Sequence, residues 1–253
     1  NLPSHHGSGL WYFAARNNAA TAPLTLWFNG GPGSSSMLGL LQQNGPCRIT
    51  SNSELVTLNP FSWNTNSNIL YIDQPVGVGF SHGTESVGTS QEAAADVWTF
   101  LQIFLKDSRF SNLASHNIAI WTESYGGHYG PAFAAYLLSQ NPAIAVRTIS
   151  GITLNLKTPG IGDGLTASSL NTRRGPITQY PEYMVNAASN PYQPLVSSAT
   201  VTTATLWYNF PNGCHDQMVT CNNGGSNADC SGAQAFCNFY ILELLFFFLW
   251  SVR

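Results

Sequence analysis

The sequence predicts an α/β protein: a mostly parallel central sheet with helices packed on it, then an insertion stapled by disulfides. Three observations carry this. Short apolar runs without clean polar alternation recur through residues 1–156, as expected of strands buried on both faces. Segments with helical spacing lie between them. From Lys157 the composition shifts to glycine, proline, serine and threonine, and four cysteines cluster before residue 239.

Four runs read as strands: Leu24–Phe28, Ile69–Asp73, Ile118–Thr122 and Thr148–Leu154. Thr89-Ser-Gln-Glu92 reads as a capping box. After it Ala94, Val97, Trp98, Leu101, Phe104 and Leu105 share one helical face through Lys106. A second helix is expected from about Gly130 to Ser139, with Pro131 in its first turn and Asn141-Pro142 ending it. Residues 1–156 thus form the first part of the core. Residues 157–238 read as a cap with little core of its own, which explains the need for staples. Residues 239–253 form a third region, an apolar run that breaks the preceding composition. It contains Glu243 and is shorter than the about 20 apolar residues that span a bilayer, so no membrane span is expected. It reads as a buried helix or as a non-native end.

The 253 residues suffice for one large domain, or one domain plus an insertion. Only 8% are charged and the formal net charge is −3, which leaves no electrostatic footprint for nucleic acid. The 43% apolar fraction argues for a packed core. The chain opens at Asn1 without a charged start or an apolar stretch, and reads as processed or partial. Cys214, Cys221, Cys230 and Cys237 have spacings of seven, nine and seven. That symmetry suits nested bridges, Cys214–Cys237 outside and Cys221–Cys230 inside, although four cysteines permit three pairings. Zinc sites pair cysteines two to four residues apart, so no metal is expected. Disulfides imply an oxidising compartment, hence a secreted or vacuolar protein. Cys47 is left over.

Two segments carry chemistry. In Ile118-Ala-Ile-Trp-Thr-Glu-Ser-Tyr-Gly-Gly-His, a predicted strand runs into Ser124 and then two glycines. This is how a nucleophilic serine is presented on a sharp strand-to-helix turn. The match to G-x-S-x-G is partial, because Thr122 stands at the first glycine. Asn29-Gly-Gly-Pro-Gly-Ser-Ser-Ser36 follows the first predicted strand, and its glycines let backbone N–H groups approach a ligand. No lysine is present there, which argues against a phosphate loop. Both segments fall at the C-terminal ends of presumed parallel strands, where open α/β sheets place their sites.

With these segments, Asn44-Gly-Pro-Cys47, Asn59-Pro-Phe-Ser-Trp-Asn64 and Asp73-Gln-Pro-Val-Gly-Val-Gly-Phe-Ser81 complete a pattern that resembles the serine carboxypeptidases, in particular fungal ones. The resemblance covers residues 1–237. It implies an α/β-hydrolase fold, an exopeptidase that releases C-terminal amino acids from peptides through an acyl-enzyme at acidic pH, and no cofactor. It implies that Ser124 is the nucleophile, and that Gly31 and Tyr125 donate backbone N–H groups to the oxyanion. Losing one such donor costs about 3–4 kcal/mol. Asn29, Gly30 and Glu123 would bind the substrate's α-carboxylate. A carboxylate accepts a hydrogen bond from Glu123 only when that side chain holds a proton, so binding weakens as pH rises.

The sequence departs from the family pattern in four places. Thr122 replaces a frequent glycine. Gln43 stands where a glutamate often supports the carboxylate site; an amide hydrogen-bonds but cannot share a proton. Cys47 lacks its usual partner. The Asp and His that complete the triad, and the last part of the sheet, are missing. Asp163 with His215 satisfies the order Ser…Asp…His, yet His215 adjoins Cys214 inside the cap. The expected activity is therefore impaired or absent. The alternatives are an acyltransferase or esterase using the same serine, and a non-catalytic secreted fragment.

Overall fold

The computed structural model describes residues 7–50, 55–164 and 196–245. The chain divides into two compact units, residues 1–166 and 167–253.

The first unit is built on a five-stranded sheet. Its strands are β1 (Leu10–Phe13), β2 (Leu24–Phe28), β5 (Asn68–Ile72), β6 (Ile118–Glu123) and β7 (Leu156–Gly162), in the order β1-β5-β2-β6-β7. A separate hairpin pairs β3 (Cys47–Ile49) with β4 (Val56–Leu58). In the five-stranded sheet β1 runs antiparallel and the other pairings are parallel. The mostly parallel sheet agrees with the sequence. All five residues of β2 and all five of β5 are buried, which explains why neither alternates. On one face Leu24, Leu26, Phe28, Leu70, Ile72, Ile118 and Ile120 pack against the two helices of the unit. On the other, Trp27, Ile69 and Tyr71 pack against Leu40 and the turn around it.

Helix α1 (Ser90–Phe104) starts at Thr89 with the expected capping box: Thr89 accepts from the Glu92 amide, and Glu92 reaches back to the Thr89 amide at 2.9 Å. Helix α2 spans Gly126–Ala145, longer at both ends than the sequence suggests, with Pro131 and Pro142 inside it. Burial of Tyr129, Phe133 and Leu137 in the core offsets the hydrogen bonds those prolines remove.

The expected strand at Thr148–Leu154 is not a strand. Its apolar residues are there to be buried, but side-chain amides satisfy its backbone. Asn141 donates to the Leu154 carbonyl at 2.9 Å and accepts from its amide at 3.0 Å. Gln102 donates to the Ile152 carbonyl at 3.1 Å. The strand comes later, as β7, where Pro159 and two glycines hide it from propensity arguments; prolines are tolerated at sheet edges. The sheet thus extends past residue 156.

The second unit contains helices α3 (Ser198–Asn209), α4 (Cys214–Asn222) and α5 (Asn227–Cys237). Ser197 caps α3 and a Ser226–Asp229 capping box starts α5. Disulfides join Cys214 to Cys237 and Cys221 to Cys230, the nested pairing. A short π-helical turn, Asn238–Leu242, continues from α5. Ile241 and Leu245 are buried with Cys214, Met218, Ala233 and Cys237, so the first part of the apolar run serves this small core.

Candidate active site

The register between β2 and β6 builds the site. Phe28 lies opposite Thr122, so the loop after β2 and the turn after β6 leave the sheet side by side. Asn29 then meets Glu123, and Gly30 meets the turn that carries Ser124. A Cβ on Gly30 would overlap the Tyr125 amide and the Glu123 carbonyl. Glycine is required there because backbone packs on backbone.

Ser124 has φ +56°, in the left-handed region. A non-glycine residue there costs on the order of 1 kcal/mol or more and persists only where its surroundings hold it. Its amide donates to the Gly162 carbonyl at 3.1 Å, and its carbonyl accepts from Gly127 at 2.9 Å. Thr122, the departure from the glycine pattern, is fully buried and donates from Oγ1 to the Gly126 carbonyl at 2.9 Å. Space for that side chain comes from Gly126, where a Cβ would overlap the Thr122 Cβ.

Gly31 (φ +104°) and Gly33 (φ +78°) turn the loop back toward the elbow. Among the described residues, no acceptor faces the N–H groups of Gly30, Gly31 or Tyr125. The loop is clamped from two sides. The Gly33 amide donates to the Tyr129 hydroxyl at 3.1 Å, and burial pushes the Tyr129 phenol above its ordinary range. Buried Asp73 accepts from the Ser35 hydroxyl at 2.7 Å, the Ser36 amide at 2.9 Å and the Phe80 amide at 2.9 Å. A cleft of about 250 Å³ beside the loop is lined by Pro32, Gly33, Pro75, Thr89, Tyr125 and Tyr129, among others.

A network of amides surrounds Glu123. Asn29 Nδ2 donates to Glu123 Oε1 at 2.7 Å, and Gln43 Nε2 donates to both carboxylate oxygens at 2.9 and 2.8 Å. Asn29 Oδ1 accepts from Trp27 Nε1 at 2.8 Å and the Gly39 amide at 3.0 Å. The loop bearing Gln43 is held from below. Tyr71 donates to Asn44 Oδ1 at 2.8 Å, and Asn59 donates to the Gly45 carbonyl at 2.9 Å.

Ser124, Gly30, Gly31, Tyr125, Asn29, Glu123 and Gln43 are therefore neighbours. Asp73 and Tyr129 were not singled out individually in the sequence, although Asp73 opens one of the quoted segments. The described histidines of this unit face elsewhere. His116 Nδ1 lies 2.7 Å from the Ala22 carbonyl, His82 lies near the Phe80 carbonyl, and the His128 ring stacks on Tyr125 at 4.6 Å. No hydrogen bond reaches the Ser124 hydroxyl among the described residues. In the other unit, His215 Nδ1 pairs with Asp216 at 3.1 Å, a neighbour in its own helix. Cys47 is free and half-buried. Among the described residues no cluster of three metal-ligating side chains occurs, and no helix is long and apolar enough to cross a membrane.

Residues 4–244 match the family described as serine carboxypeptidase. The chain belongs to that family. Carboxypeptidase S1 of Penicillium janthinellum is 42% identical over 237 residues, covering 94% of this chain and 53% of that protein. A carboxypeptidase Y homolog A of Trichophyton rubrum is 38% identical over 232 residues, covering 92% of this chain and 39% of that one. Kex1, a prohormone-processing carboxypeptidase from Saccharomyces cerevisiae, superimposes with a TM-score of 0.67 at 25% identity, covering 94% of this chain and 49% of its own. This serine carboxypeptidase chain thus spans about half the length of the relatives it matches, and the match extends into the apolar run after residue 238.

Proposed function

We propose that this chain carries the acyl-enzyme side of a serine carboxypeptidase site that releases C-terminal amino acids from peptides at acidic pH. The observation that carries the reading is the strained Ser124 turn set against Gly30, with Asn29 and Glu123 joined beside it. In this reading Ser124 Oγ attacks the last peptide carbonyl. The Gly31 and Tyr125 amides stabilise the oxyanion. Asn29, the Gly30 amide and Glu123 hold the terminal carboxylate, which sets the register for removal of one residue. The two disulfides fit a secreted or vacuolar protein.

The described residues supply no base to the Ser124 hydroxyl, so catalysis by this chain is impaired. A residual rate from oxyanion stabilisation and binding alone falls orders of magnitude below a full triad. A fluorophosphonate probe tests this. Slow modification confined to Ser124 is expected. Rapid stoichiometric modification contradicts the impairment, and modification of another serine contradicts the assignment of the nucleophile.

A further inference from the structure

We propose that Tyr129 is a positioning residue: through one hydrogen bond to the Gly33 amide, its hydroxyl holds the Gly31 amide in register with that of Tyr125. This role rests on the reading of those two amides as the oxyanion donors.

The two donors lie on different segments. Tyr125 precedes α2, while Gly31 belongs to the loop after β2. Two donors stabilise one oxygen only if both come within about 3 Å of it, so the segments must be tied together. The loop cannot fix itself. Gly31 (φ +104°) and Gly33 (φ +78°) lack the Cβ that would restrict their backbone. Packing of Gly30 on the Tyr125 amide holds the start of the loop, and Asp73 holds Ser35 and Ser36. The Ser34 amide donates to the Gly30 carbonyl at 3.1 Å, which closes the turn only on itself. Among the described residues, residues 31–33 make one hydrogen bond to another element, from the Gly33 amide to the Tyr129 hydroxyl at 3.1 Å. Pro32 stands between Gly31 and Gly33 with its φ fixed by its ring, so a hold on Gly33 carries to Gly31.

Tyr129 is a fixed post. It is 3% exposed. Its ring stacks on Phe133 at 5.3 Å and meets Tyr125 edge-on at 5.1 Å. Phe133 in turn meets Phe28, the last residue of β2, at 5.0 Å. The Tyr129 amide donates to the Tyr125 carbonyl at 3.3 Å, so the phenol stands one helical turn along from the second donor. One side chain thus refers the Gly31 loop to the same helix that follows Tyr125.

Tyr129→Phe in the full chain keeps the ring and removes the acceptor. The reaction of Ser124 with a fluorophosphonate, followed over a range of probe concentrations, gives a limiting rate and a half-saturating concentration. Deleting an oxyanion donor costs about 10²–10³ in rate. Tyr129→Phe displaces a donor without deleting it, so the limiting rate should fall about tenfold at an unchanged half-saturating concentration, with circular dichroism confirming the fold. Leu137→Val, buried on the same helix, serves as the stability control. It should lower the urea midpoint and leave the limiting rate as it was. An unchanged limiting rate in Tyr129→Phe, or an equal fall in Leu137→Val, overturns the role of Tyr129 alone. Absence of label on Ser124 in the unmodified chain overturns the reading of the site as well.

Discussion

Thr122 and Gly126 share one space. The threonine hydroxyl donates to the Gly126 carbonyl at 2.9 Å, while its Cβ occupies the position a Gly126 side chain would need. The elbow therefore holds one side chain across this pair, and here residue 122 carries it. Gly126→Ala is expected to destabilise the first unit by about 1–3 kcal/mol, the usual cost of overpacking. Thr122→Gly in the same chain should recover part of the loss. Urea unfolding of the two single variants and the double variant measures the coupling. Additive losses would remove this explanation of the missing glycine.

Ser124 at φ +56° holds strain that the fold does not need. Ser124→Gly is expected to raise stability by about 1 kcal/mol, while Ser124→Ala, which keeps a Cβ, should not. Thermal unfolding separates them. Equal effects of the two substitutions would mean that the backbone at 124 is relaxed.

Asp73 gathers three donors from two loops without a basic partner among its hydrogen bonds. Asp73→Ala should leave the Ser36 and Phe80 amides unsatisfied and cost about 3 kcal/mol or more. Asp73→Asn keeps one acceptor oxygen and should cost less. Slower modification of Ser124 by the fluorophosphonate in both variants would show that the clamp reaches the loop proposed to hold the oxyanion. An unchanged rate would confine Asp73 to stability.

How much of this was legible in the sequence varies with the kind of interaction. β2, β5 and α1 were legible because burial on both faces and a capping box leave local marks, and β6 because its apolar run ends at the serine elbow. β1 and β7 were not. Edge strands are held by a neighbour, and the Leu156–Gly162 sequence advertises a turn. The apolar run at 148–154 signalled burial correctly but not pairing, because Asn141 and Gln102 replace the ladder. Asn29, Gly31, Ser124 and Glu123 were legible as motif positions of the candidate site. Their mutual contacts depend on the β2–β6 register. The roles of Asp73 and Tyr129 depend on loops that meet only in the folded unit.

His128 is half-buried, and burial lowers its imidazole below the ordinary range. Its folded-state affinity for protons is lower than in the unfolded chain. The stability it contributes is therefore complete above the unfolded value and is lost as pH falls through the folded one. His128→Gln is expected to flatten the decline in melting temperature below about pH 6.5. An identical decline in both proteins would assign the acid sensitivity to other groups.

Ser124 is proposed as the nucleophile of a carboxypeptidase site to whose hydroxyl the described residues supply no base. Release of the C-terminal residue from an N-blocked peptide at acidic pH, followed by mass spectrometry, tests it most directly. Release far slower than a full triad sustains, abolished by Ser124→Ala, is expected. Release at a full-triad rate, or release that survives Ser124→Ala, would contradict it.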